Sequence, residues 1–244
     1  MTLDLVTRSS LLQADCIYCG HRATTRDHVP PKLLLERPFP SNLHTVPSCF
    51  RCNHGASLDE QYFLVLLGQI SSSPTITTKI SDGGIIDRTL TRSPALEQRL
   101  IQALEVDDEE GRVLIRPEMD RVSRVIKKIA IGLFALRYGR APDVTAVGPV
   151  GAYPYQIVDD RPWPIFISTF TERFRTKKWR VVQPDVFSYI FVRDPRTSSK
   201  VWCVMDIHQT LWGVVHFPNP KSAKVRNNRQ LWLFPETDDP WSVS

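Results

Sequence analysis

Long apolar runs are missing from this 244-residue chain: no stretch approaches the ~20 consecutive apolar residues that a membrane-crossing helix needs, so a helical membrane protein is not expected. The opening residues MTLDLVTRSS lack the basic-then-apolar layout of a secretion leader, which makes the cytosol the expected location. Walker loops, dinucleotide fingerprints and internal repeats are absent too, so nothing marks a nucleotide-dependent enzyme or a repeat protein. Neither charge sign dominates: 31 Lys and Arg face 26 Asp and Glu, a net charge of +5 that suits a polyanionic partner without requiring one. Hydrophobic residues at 42% and charged residues at 23% argue against wholesale disorder. The length exceeds a typical single domain of roughly 100 to 200 residues, so a core domain with a smaller module is expected.

What is present is cysteine in an ordered pattern. Four of the five cysteines form two pairs, CIYC (Cys16, Cys19) and CFRC (Cys49, Cys52), with 29 residues between the pairs. Disulfides are disfavoured in a cytosolic chain, whereas two C-x2-C knuckles supply four thiolates spaced to grip one tetrahedral zinc. Each knuckle is followed by a turn-forming residue, Gly20 or Asn53. Cys203, inside the apolar run VWCVMDI, reads as a buried small hydrophobe.

The loop between the knuckles contains RDHVPPK and SNLHTVPSC, and the second knuckle runs on into NHGASLDEQYF. This order of C-x2-C, Asp-His, Asn and Cys-x2-Cys-Asn leading into a helix resembles the HNH endonucleases, the ββα-metal family, in their zinc-stapled form. The resemblance covers about residues 14 to 66, roughly a quarter of the chain. It implies a metal-dependent hydrolase of DNA phosphodiester bonds, with His28 as general base, as suits an imidazole whose pKa lies near 6.5. It also implies Asp27 and Asn53 as oxygen ligands of a catalytic Mg²⁺ or Mn²⁺.

Several assignments within the motif stay open. Asn53 is either a ligand or the N-cap of the helix beginning near Ala56. His54 replaces Asn53 as ligand if that helix begins one residue later. The middle Asn of the motif falls at His44 by spacing, or at Asn42 two residues upstream; side chains two apart on a strand share a face, and Asn42 is favoured because SNL resembles relatives with a longer loop. Ser57 stands where some relatives carry a third ligand, while Asp59 and Glu60 are either water-mediated ligands or partners of the helix dipole. Val29 before Pro30 and Pro31 stays extended, so the hairpin is expected to end there with Asp27 and His28 facing the metal.

Beyond the motif, SLDEQYFLVLLGQI reads as a helix broken by SSSP, and SPALEQRLIQAL as a helix capped by Ser93 with Pro94 at its first position. DDEEG is a turn before the strand RVLIR, and Pro117 to Tyr138 is the clearest helix, with Arg121, Arg124, Lys127 and Lys128 on a solvated outer face or against DNA. KWRVV, VFSYIFV, KVWCVMDI and TLWGVVHF read as strands whose aromatics pack a core or stack on bases. The expected architecture is α+β: a zinc-stapled ββα-metal HNH unit over residues 1–70, then an accessory domain over 71–244, helical through 75–140 and β-rich through 145–235. Candidate phosphate contacts are Arg26, Lys32 and Arg51 beside the motif, and Lys221, Lys224 and Arg226 in the basic segment NPKSAKVRNNRQ, which reads equally as a disordered connection.

Three functions fit these expectations. One is a DNA endonuclease, in restriction or anti-phage defence, whose partner is double-stranded DNA. The second is a zinc-binding nucleic-acid module whose nuclease motif does not cut. The third is a nuclease effector subunit silent until a regulatory protein partner releases it.

Overall fold

The computed structural model describes residues 14–71, 73–107, 112–148, 150–154, 178–194 and 197–220. Lys221, Lys224 and Arg226 therefore lie outside the described residues, as does most of the DDEEG turn. Within them the architecture is mixed α+β, with helices in the middle and a five-stranded antiparallel sheet after them. No described helix is long and apolar enough to cross a membrane.

A hairpin of β1 (Thr25–Val29) and β2 (His44–Ser48) comes first, in the register Asp27↔Val46 and His28↔Thr45. Its first strand stops where Pro30 and Pro31 remove two ladder donors. Two helices follow, α1 (Phe50–His54) and α2 (Ser57–Ile70), and α2 ends at Ser71 ahead of Pro74. Two short helices come next, α3 (Pro74–Ile80) and α4 (Ile85–Arg92), turned at SDGG. Pro94 opens α5 (Pro94–Gln102), but Ser93 makes no side-chain capping bond. A small hairpin, β3 (Leu104–Asp107) with β4 (Arg112–Ile115), leads to α6 (Met119–Tyr138), which closes on Gly139 in the left-handed region at φ 69°. The five-stranded sheet runs β5 (Val150–Pro154), β9 (Leu211–Pro218), β8 (Lys200–Ile207), β7 (Phe187–Arg193), β6 (Arg180–Gln183) in spatial order.

The long helix α6 sits between the first hairpin and the five-stranded sheet. A Cβ added at Gly132 would meet Val29 Cγ2 at 2.6 Å, so the glycine is what lets the helix backbone approach the hairpin. On another face Phe134 stacks on Phe217 of β9 with centroids 4.8 Å apart. One apolar cluster accordingly runs from Cys16 through Val29, Tyr62 and Ile126 to Phe217, across the expected boundary near residue 70. Ile190, Val192, Trp202, Val204 and Val214 form a second cluster on the opposite side of the sheet, so these strand aromatics pack cores.

The long connection between β1 and β2 is fastened to distant elements. Gln183 exchanges two hydrogen bonds with the Glu36 backbone, at 2.9 and 3.0 Å, and Lys79 reaches Leu35 O at 2.8 Å. At the tip of the β8–β9 hairpin, His208 and Gln209 hold φ of 54° and 51°, which costs backbone strain in residues with a Cβ. The His208 ring is fully buried and bridges Leu34 O and Thr75 Oγ1, each at 2.8 Å. Burial lowers its pKa to about 4 from the ordinary 6.5, so it stays neutral while the unfolded chain takes up a proton. Its contribution is complete above about pH 6.5 and is lost as pH falls toward 4; the full difference corresponds to about 3 kcal/mol. Urea unfolding should therefore show the wild-type advantage over a His208→Asn variant shrinking by about 2 kcal/mol between about pH 7 and about pH 4.5. Parallel pH profiles for the two proteins would contradict this.

Candidate metal centre and hairpin site

Two tight turns bring the cysteines together. Gly20 adopts φ 74° after the first knuckle and donates its N–H to Cys16 O at 2.8 Å, folding the chain back so that Asp15 bridges to Arg22. Cys49 caps α1, its Sγ accepting the Cys52 N–H at 3.4 Å. Ile17 N–H donates to Pro47 O at 3.2 Å and ties one knuckle to the strand before the other. The ligand atoms of Cys16, Cys19, Cys49 and Cys52 all lie within 4.8 Å of one another, and all four residues are buried. Four such sulfurs match a tetrahedral zinc with Zn–S of about 2.3 Å.

The protonation chemistry favours a cation at their centre. A hydrogen bond from the Cys52 thiol lowers the Cys16 pKa to about 4, while burial pushes Cys19 up to about 12. Cys52 is pushed up as well, chiefly by that same bond to Cys16 and then by burial. One thiolate is thus tolerated while Cys19 and Cys52 keep their protons, because like charges at this separation cannot coexist in a buried space. A divalent cation removes that limit and lets all four ionise.

Above this cluster, successive side chains of β1 alternate between faces. Asp27 goes inward, 5% exposed, where its Oδ2 accepts from Tyr18 Oη at 2.7 Å and from Lys128 Nζ at 2.9 Å. Lys128 also reaches Glu60 Oε1 at 2.6 Å. Burial acts to lower the Lys128 pKa, but the Glu60 and Asp27 charges outweigh it and raise the value. His28 lies on the other face with Arg26, which donates from Nε to Thr45 Oγ1 at 2.6 Å. Partial burial lowers the His28 pKa from 6.5, helped by the Lys32 and Arg26 charges and opposed by Asp27. Its imidazole is therefore neutral at neutral pH and makes no hydrogen bond among the described residues.

Asn53 sits inside α1, not at the start of a helix near Ala56, so the N-cap alternative is excluded. Its Nδ2 donates to Thr25 Oγ1 at 3.1 Å and to Arg26 O at 3.2 Å. A backbone carbonyl only accepts, which fixes the orientation of the amide and leaves Oδ1 as the atom available to a cation. His54 is exposed and stacks on Phe50, with centroids 4.2 Å apart. His44 is the first residue of β2, exposed, opposite Val29 and on the Asp27 face by alternation; Asn42 is exposed in the turn before the strand, so the two do not share a strand face. Ser57 is the first residue of α2. Lys32 is exposed over the Phe39 ring at 5.4 Å, and Arg51 is half-buried.

The charged stripe of α6 is not an outer face. Arg121 and Arg124 converge on Asp59, at 2.9 and 2.6 Å, and Lys128 is 1% exposed within its pair of acids. Asp59 and Glu60 are therefore ion-pair partners of α6. This network was hidden from sequence reading. A signal existed in VIKKIAIGLF, where Lys128 stands between Ile126 and Ile129 and falls on the apolar side of a 3.6-residue helix. Comparison of the chain with models of known protein families, with curated proteins and with solved structures gives no match.

Proposed function

We propose that this chain is a zinc-stapled nuclease of the HNH type that hydrolyses phosphodiester bonds of DNA. The observation that carries the reading is the four-cysteine cluster at the base of a hairpin whose half-buried His28 stays unprotonated and unbonded at neutral pH. His28 takes a proton from the attacking water as the water oxygen bonds to phosphorus and the 3′ oxygen leaves, giving a 5′-phosphate and a 3′-hydroxyl. Asn53 and Asp27 each keep one uncommitted oxygen, a donor chemistry that fits Mg²⁺ or Mn²⁺; such an ion supplies positive charge to the phosphoryl group and the departing oxygen. Arg26, Lys32 and Arg51 hold the phosphate backbone.

The expected result is nicking of plasmid DNA with Mg²⁺ or Mn²⁺, slowed roughly 10²- to 10⁴-fold in His28→Ala with zinc content unchanged. Equal rates for the two proteins would remove His28 as the base. The Asp27–Lys128 ion pair favours a second reading, a zinc-stapled nucleic-acid-binding module that does not cut, because a carboxylate already neutralised by an ammonium has less to offer a metal. Wild-type protein that binds DNA yet leaves it intact with both metals would select that reading.

A further inference from the structure

Phe50 is 60% exposed, and no other aromatic residue is among the exposed large hydrophobic side chains of the described residues. It is held in place despite that exposure. Its N–H donates to Thr24 Oγ1 at 3.0 Å, and its neighbours Cys49 and Cys52 anchor α1 to the cysteine cluster. One face of the ring stacks on His54 one turn later, at 4.2 Å and 22° between planes. The result is a two-ring stack with a fixed orientation and an open face.

The segment that carries it is basic. Residues 14–58 contain Arg22, Arg26, Lys32, Arg37 and Arg51 against Asp15, Asp27 and Glu36. Asp27 is buried against Lys128 and Glu36 pairs with Lys79, which leaves Asp15 as the acid of this stretch without a lysine partner among the described residues. A single exposed aromatic pair on a segment of net positive charge is a small apolar docking patch for a protein. It suits a nucleobase, which offers a π-face to the ring and a phosphate to the cations.

We propose that Phe50, backed by His54, is a stacking platform for an unpaired base, so that the substrate is a strand with a base out of the duplex stack. The proposal rests on the nucleic-acid reading above and specifies which form of nucleic acid the site takes. Asn53 lies on the same short helix, so a strand stacked on Phe50 is led toward the hairpin.

The test is fluorescence anisotropy of the full-length, zinc-loaded chain with a labelled single strand of about 20 nucleotides and with the same sequence as duplex, at one salt concentration. Phe50→Ala is expected to weaken single-strand binding roughly ten- to hundredfold, Phe50→Tyr to restore it, and duplex binding to stay unchanged. Equal single-strand affinity of wild type and Phe50→Ala overturns the proposal, as does failure of Phe50→Tyr to restore binding. Absence of single-strand binding by the wild type overturns it in favour of a protein partner for the same ring. Phe50-dependent binding without cleavage removes the nuclease reading and keeps the platform; His28-dependent cleavage with no Phe50 effect does the reverse.

Discussion

Cys52→Ser is expected to abolish zinc binding and to lower stability by at least about 5 kcal/mol. Cys52 is fully buried, and its sulfur is one of four converging within 4.8 Å. Structural zinc contributes apparent binding energies of roughly 10–16 kcal/mol in small zinc-finger peptides. Here part of that coupling is replaced by the core shared with α6, so a partial loss is expected rather than complete unfolding. In a chain of this size such a loss corresponds to a fall of roughly 10 °C or more in the thermal midpoint. Metal analysis should find one zinc per wild-type chain and none in the variant. Chelation of the wild type should release four titratable thiols while Cys203, fully buried in β8, stays unreactive until the sheet opens. A variant that keeps both its metal and its midpoint would refute the zinc assignment.

Lys128→Met is expected to cost about 3–5 kcal/mol. The substitution conserves most of the volume and removes only the ammonium, leaving Asp27 and Glu60 as buried carboxylates facing one another without a counter-charge. Burial already raises the Glu60 pKa, so its first response to the loss is to take up a proton. Urea unfolding of Lys128→Met beside the triple variant Lys128→Met, Asp27→Asn, Glu60→Gln separates charge from packing. Most of the lost stability should return in the triple variant, since no uncompensated charge remains. If Lys128→Met alone unfolds at the wild-type midpoint, the ammonium holds nothing together.

Features carried by local spacing were the ones readable in advance. The C-x2-C knuckles close through turns of a few residues, and α6 shows its apolar stripe over five turns, so both follow from near neighbours in sequence. The same locality misled the reading of the α6 charges. Arg121, Arg124 and Lys128 recur at steps of three and four, which in isolation is the pattern of a solvated face; their partners Asp59 and Glu60 are more than 60 positions earlier and carry no local mark. Asn53 was ambiguous for a related reason. A Cys side chain capping α1 moves the helix start ahead of Asn53, and no propensity scale for Asn contains that information. Strand β5 was missed because VGAYP has little β-branched content and acquires its strand geometry by pairing with β9.

The clasps that Gln183 and His208 place on the β1–β2 connection reach from residues 183 and 208 back to Glu36 and Leu34. They make the hairpin a poor candidate for transplantation. A fragment ending at residue 70 would carry the cysteines and His28 yet lose the surface against which Val29 and Leu34 are buried. The candidate site is therefore heritable only together with α6 and the five-stranded sheet, and substitutions in the distant sheet become a route by which its geometry can drift.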